Sequence, residues 1–178
     1  EELKALHDAG LSRAYLGVES GSDRVLTAIH KGCDAATMLK AGQALVAAGI
    51  DLWVTVILGL TGKGGDWEEH ILKTAEIINQ MKPRHLSAMT LGAAKGTPLG
   101  DDVLAGRFVM AEPQQILEEC HLLIEKLNVD PLHFTSNPAS NYLPLKGGLP
   151  EDREKFLSAI DQALEGKIRL RKPLDRGI

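Results

Sequence analysis

Cysteine is nearly absent: Cys33 and Cys120 are the two in 178 residues, and they lie far apart. A disulfide framework is thereby excluded, and the usage suits a reducing, cytoplasmic setting. Aromatic residues make up only 4% of the chain, which argues against a base-stacking surface. Positive charge is not in excess either. The net charge of −4 gives no mark of a general nucleic-acid binder. No apolar run approaches the ~20 residues that span a bilayer, and no signal peptide is visible. The histidines, His7, His30, His70, His85, His121 and His133, show no His-x-x-x-His spacing, and Cys-x-x-Cys does not occur, so no zinc site is read. Only His133, beside a long polar loop, is placed for function. No Gly-x-Ser-x-Gly elbow is present, which removes the hydrolases built on it.

What is present is organised around residues 16–32, LGVESGSDRVLTAIHKG. Residues 13–18 read as a short buried strand. The character then changes at Glu19-Ser20-Gly21-Ser22-Asp23, and Val25, Leu26 and Ile29 recur at helical spacing up to Gly32. A strand thus stops in a polar turn and launches a helix. In α/β sheets and barrels, ligands bind just beyond the carboxyl ends of strands, where Glu19 stands. The turn also fits a capping box, with the Ser20 hydroxyl and the Asp23 carboxylate on free helix amides. Capping does not explain Glu19, which the bare pattern leaves open as a ligand group or a rim carboxylate.

The rest alternates. Residues 1–10 form an amphipathic helix closed by Gly10. Asp34 caps a helix that ends at Gly49, and residues 50–60, with VTVILGL at their heart, predict a strand buried on both faces. Asp66-Trp67-Glu68-Glu69 opens a helix closed by Pro83, and residues 85–91 form a third strand. Residues 101–105 suggest a helical turn. Pro113 suits the first turn of a helix that carries Cys120 on its apolar face. Residues 132–135 make a fourth strand. The aperiodic loop 136–148 follows, of a length more often functional than decorative. A helix over 151–164 and a basic tail over 167–178, with Lys172 and Arg176, complete the chain. Helices and strands in alternation predict about four parallel strands with crossover helices: half of an eight-stranded barrel, or a small open sheet.

Gly59-Leu60-Thr61-Gly62-Lys63-Gly64-Gly65 lies between a strand and a helix, as a phosphate loop would. Its spacing misses Gly-x-x-x-x-Gly-Lys-[Ser/Thr], and a flexible turn accounts for it better.

Three segments together resemble a known family. Residues 16–26, followed by Ile29 and Lys31-Gly32, resemble the fourth-strand segment of radical S-adenosylmethionine (SAM) enzymes, in particular the group with coproporphyrinogen oxidase-like, methylthiotransferase and Elongator-type members. Val56-Ile57-Leu58-Gly59-Leu60, with residues 66–69 beyond, resembles the fifth-strand segment. Leu91 and Gly96-Thr97-Pro98-Leu99 resemble the loop after the sixth strand. The resemblance covers residues 1–105, the C-terminal half of a partial TIM barrel, with 106–178 as an extension of the same domain.

It implies an enzyme that cleaves SAM with a [4Fe–4S] cluster to give a 5′-deoxyadenosyl radical, on a substrate the sequence does not name. It implies that Glu19 hydrogen-bonds the SAM ribose and that Ser20 or Arg24 meets the amino acid end. Thr55 stands where relatives place a ribose-binding Asp. Leu58 and Gly59 are expected near the adenine, with Leu91 and Gly92 on its other side. The family's Cys-x-x-x-Cys-x-x-Cys and Gly-Gly-Glu segments do not occur here. The expectation is therefore a portion cut from a longer chain after the third strand, holding part of the SAM wall, no metal ligand, and no activity alone. Self-association through an exposed sheet edge or a bared apolar face is expected of it. Two other classes stay open: a non-catalytic nucleotide- or phosphate-binding α/β module using the Gly62–Gly65 turn, and a fragment of another barrel enzyme such as an aldolase.

Overall fold

The structure, a computed structural model, describes residues 1–137 and 140–171. Lys172 and Arg176 of the basic tail lie outside the described residues, as do Pro138 and Ala139 of the long loop.

The elements run α1 (Glu2–Asp8), β1 (Arg13–Glu19), α2 (Asp23–Ala28), α3 (Ala35–Ala47), β2 (Asp51–Leu58), α4 (Trp67–Met81), β3 (His85–Thr90), α5 (Pro98–Leu104), α6 (Pro113–Lys126), β4 (Leu132–Thr135), β5 (Lys146–Leu149) and α7 (Arg153–Leu164). One sheet carries all five strands in sequence order. β1 to β4 pair in parallel, and β5 adds antiparallel to β4. This is the alternating α/β architecture that the periodicities predict, with one strand more.

That extra strand was hidden by composition. Lys146-Gly147-Gly148-Leu149 has two glycines and no alternation, so intrinsic preference argues against it. Packing against α7 supplies the reason for the glycines. A Cβ on Gly147 would overlap the Asp152 carboxylate and lie 2.8 Å from Phe156 Cζ. The Gly148 amide donates to that same carboxylate at 2.9 Å.

The helices start where the caps say. Asp34 accepts from the Thr37 amide at 2.7 Å and Asp66 from the Glu69 amide at 3.4 Å. The first polar turn differs from expectation. Ser22, not Ser20, caps α2, and Asp23 reaches the Ala35 amide at the start of α3. α5 begins at Pro98, earlier than the turn read at Asp101, with Thr97 as its cap.

One face of the sheet carries the core. Val18, Leu52, Val54, Val56, Leu58, Leu86, Ala88, Leu132 and Phe134 are buried there, in one cluster with Ile71, Ile78, Leu123, Ile124, Phe156 and Ile160 of α4, α6 and α7. Cys120 belongs to the same cluster. The other face is barer. β2 alternates buried and half-buried positions, so the expected burial on both faces gives way to burial on one. A β-branched run alone does not tell how many layers cover it.

Strand register writes the barer face out in rungs. Arg13 pairs with Asp51. Next come Tyr15, Trp53, His85 and His133, then Gly17, Thr55, Ser87 and Thr135, and finally Ile57 with Met89. The second rung is a row of rings: Trp53–His85 and His85–His133 stack at 4.0 Å and 4.8 Å between centroids, and Tyr15 lies tilted by 50° against Trp53 at 5.5 Å. The Arg13 guanidinium lies 4.6 Å from the Trp53 ring centre. This face carries polar and aromatic rungs, with the apolar Ile57 and Met89 at the carboxyl end. β1 has a sheet partner on one side only. Among the described residues no helix is long and apolar enough to cross a membrane.

β5 offers a direct check of this register. Gly147→Val should lose about 1–3 kcal/mol by overpacking. Gly148→Ala, whose new methyl meets only the movable Glu151 carboxylate at 3.3 Å, should lose clearly less. Urea denaturation of both variants measures the difference, and equal losses would count against the assigned pairing.

Candidate functional site

Parallel pairing places the carboxyl ends of β1, β2 and β3 on one rim. Glu19, Gly59 and Leu91 stand at those ends.

Glu19 has an unusual backbone. Its φ is +62°, and the Ser20 amide bonds back to the Val18 carbonyl at 2.7 Å. An i→i+2 bond around a positive φ is the strained form of the γ-turn. The pairing with β2 jumps from Gly17 to Glu19 at this point, a bulge of the kind that re-aims a side chain. The Glu19 carboxylate consequently folds over Gly17, where a Cβ would overlap its Oε1. Lys31 Nζ lies 3.3 Å from that same oxygen. Oε2 has no partner among the described residues. Gly17 pairs with Thr55, so the carboxylate and the Thr55 side chain neighbour one another on the barer face.

Gly59, Leu91 and Gly92 come together in a cavity of about 350 Å³, lined also by Thr90, Met110 and Tyr142. Leu58 does not join them, because alternation turns its side chain into the core beside Ile116 and Leu117. Gly59 has φ +84°, and a Cβ there would press on Ile116 at 2.8 Å.

Ser20 and Arg24 are engaged elsewhere. Ser20 is fully buried, with its Oγ 2.8 Å from His70 Nδ1. Arg24 donates to Glu69 at 3.1 Å and to the Asp66 carbonyl at 3.4 Å. His133, placed for function by its position alone, is an exposed end of the stacked rung.

The glycine-rich turn is also engaged. The Lys63 amide donates to the Val109 carbonyl at 2.8 Å, the Gly64 amide to Gln115 at 3.4 Å, and the Lys63 ammonium pairs with Glu112. Donors that a phosphate would need already serve the approach to α6, which speaks against the phosphate-module reading.

Two buried groups escaped sequence reasoning. Glu119 is fully buried on α6, accepting from the Gly59 amide at 2.6 Å and from Gln115 at 2.9 Å. Burial raises its carboxyl to about 6, against the two hydrogen bonds. Its only signal was a carboxylate beside Cys120 on the apolar stripe of α6. The second is His70, whose ring is pushed down by burial against the raising effect of its bond to the Ile57 carbonyl. His70 and Thr74 flank the apolar stripe of α4 four residues apart, and that spacing was the available clue.

The described residues do not fit an iron–sulfur cluster. No group of three His, Cys, Asp or Glu side chains among them could hold a metal ion. Cys33 is half-buried, and Cys120 is buried with its thiol pushed up to about 12. For an adenosyl ligand the fit is better, with an available carboxylate oxygen at Glu19 and an apolar cavity along the same rim.

The architecture is that of part of a partial TIM barrel: parallel strands, crossover helices and carboxyl ends gathered on one rim. The archaeal Methanocaldococcus infernus Elp3, solved with residues 1–46 deleted from its N-terminus, shares it. The likeness covers 96% of this chain and 40% of that one, at a TM-score of 0.61 and 17% identity. The uncharacterized protein MJ0486 of Methanocaldococcus jannaschii is 29% identical over 124 residues, 65% of this chain and 38% of that protein. The chain thus spans about two fifths of the length of each. No family model matches it.

The Glu119 carboxyl makes a prediction about pH. Its folded value of about 6 exceeds the ordinary 4.5, so its contribution to stability is present below pH 4.5 and lost as pH rises through 6. The loss amounts to about 2 kcal/mol. Glu119→Gln should flatten the stability profile between pH 4.5 and 7, read from urea midpoints. A variant that keeps the full slope would refute the assignment.

Proposed function

We propose that the chain is part of a radical SAM enzyme and forms one wall of its SAM site. The observation that carries this reading is the Glu19 carboxylate on the rim, strained into place, with Oε2 unpartnered. A ribose diol needs such an acceptor. When bound, SAM would supply the adenosyl group on which the chemistry of that family rests. This chain's own residues would bind and orient it. Glu19 would accept from a ribose hydroxyl, with Lys31 offsetting the carboxylate's charge. Thr55 would offer a hydroxyl one strand away. The Gly59, Leu91 and Gly92 cavity would take the adenine, where apolar walls exclude water and backbone groups reach the ring edge. Arg24 would meet the SAM carboxylate only by leaving Glu69 and Asp66. The cluster ligands would come from outside the described residues, and the substrate is not named by this geometry.

Glu19→Ala in the natural full-length protein tests the reading. SAM affinity should fall about tenfold to a hundredfold, as for loss of a hydrogen bond to a charged group. Stability should change by less than about 1 kcal/mol, since the Lys31 pair is partly exposed. Calorimetric titration and melting of the same sample decide it, and normal SAM binding would sink the assignment.

Anaerobic reconstitution of the chain by itself, followed by iron and sulfide analysis, should give no stoichiometric cluster. Two separated cysteines do not supply three thiolates to one cubane. One cluster per monomer would overturn this.

A further inference from the structure

The turn after β1 is fastened to α4, a helix that follows the next strand. Four residues of α4 take part. Glu69 accepts from the Ser22 hydroxyl at 2.9 Å and from Arg24. His70 meets Ser20. Thr74 accepts from the Gly21 amide at 3.0 Å and donates to the His70 carbonyl at 2.7 Å. The Lys73 carbonyl lies so close to Gly21 that a Cβ there would overlap it.

The His70 bonds fix its tautomer. Nε2 lies 3.0 Å from the Ile57 carbonyl, which only accepts, so Nε2 carries the hydrogen. Nδ1 is then an acceptor, and the Ser20 hydroxyl donates to it at 2.8 Å. Ser20 Oγ in turn accepts from the Ser22 amide at 3.0 Å. An unbroken path of hydrogen bonds thus joins the end of β2 to the turn after β1. Ser20 and His70 are both fully buried, so the pair has no access to a substrate as nucleophile and base.

Glu19 precedes Ser20 directly and holds a left-handed backbone that costs a non-glycine residue about 1–3 kcal/mol. Such a conformation persists where its surroundings over-determine it. The surroundings here are the Ser20 and Gly21 anchors on α4.

We propose that His70 is a positioning residue. Through Ser20 it holds the strained turn that keeps the Glu19 carboxylate over Gly17, and through Ile57 it sets that carboxylate's height against the Gly59 rim. The proposal rests on the ribose reading of Glu19. A role confined to core packing would affect folding and leave ligand affinity in the folded protein untouched.

A double-variant cycle in the natural full-length protein tests it, with SAM as the probe and affinity read by calorimetry. Ser20→Ala and His70→Ala are each made alone and with Glu19→Ala. Ser20→Ala removes one oxygen and keeps the test open where His70→Ala does not fold. In the parent background each should weaken SAM binding about tenfold, and in the Glu19→Ala background less than about twofold, because coupled residues are not additive. Melting temperatures should drop by similar amounts in both backgrounds. Equal affinity losses in both, or no loss with Ser20→Ala while Glu19→Ala does lose affinity, would overturn the positioning role alone. Unchanged affinity in Glu19→Ala itself would overturn the ribose reading, and the positioning role with it.

Discussion

Parallel pairing is the constraint from which the other features follow. A strand that runs the same way as its neighbour is reached only by a crossover, and right-handed crossovers between strands laid down in order all land on one side. That side receives α3, α4 and α6, is joined by α7 after β5, and becomes the core. The other side is left to Trp53, Thr55, Ser87 and their neighbours. The same constraint gathers three carboxyl ends on one rim, so residues distant in sequence, Glu19, Gly59 and Leu91, share a neighbourhood without touching one another in sequence.

Against that regular frame, the end of β1 is irregular. The bulge, the positive φ and the i→i+2 bond occur within three residues, and polar groups of α4 fasten the chain immediately afterwards. Burying His70, Thr74 and Ser20 is favourable only because each finds a partner. Placing those partners on a helix from the following crossover makes the turn a product of tertiary structure, and the local sequence alone would not hold it.

Much of this was legible in the sequence. Residues 50–60 form a β-branched run, and Ile71, Ala75 and Ile78 recur at helical spacing, so β2 and α4 announced themselves, though not that β2 buries one face only. β4 was bounded correctly. The polar turn that follows the 13–18 strand marked Glu19 as standing at a strand's carboxyl end, and the family resemblance added the ribose expectation. β5 was not legible, because its glycines answer to Asp152 and Phe156 on α7 rather than to strand preference. Ser20 was misread as a cap for a related reason: two buried serines flank Gly21, and only the position of His70 decides that Ser20 bonds its ring and Ser22 is left to cap the helix. Leu58 was assigned to the rim because the resemblance locates a segment, whereas the parity of the strand decides which way each side chain faces. Glu119 was invisible, since a carboxylate on a helix is ordinarily solvated.

The left-handed backbone at Glu19 sets two kinds of fitness against each other at a single position. Glycine adopts that conformation without steric cost, so replacing Glu19 by glycine would relieve the turn. Laboratory evolution for heat tolerance alone would favour that exchange and would delete the carboxylate from the rim. At this one position the relaxed backbone and the rim carboxylate are mutually exclusive.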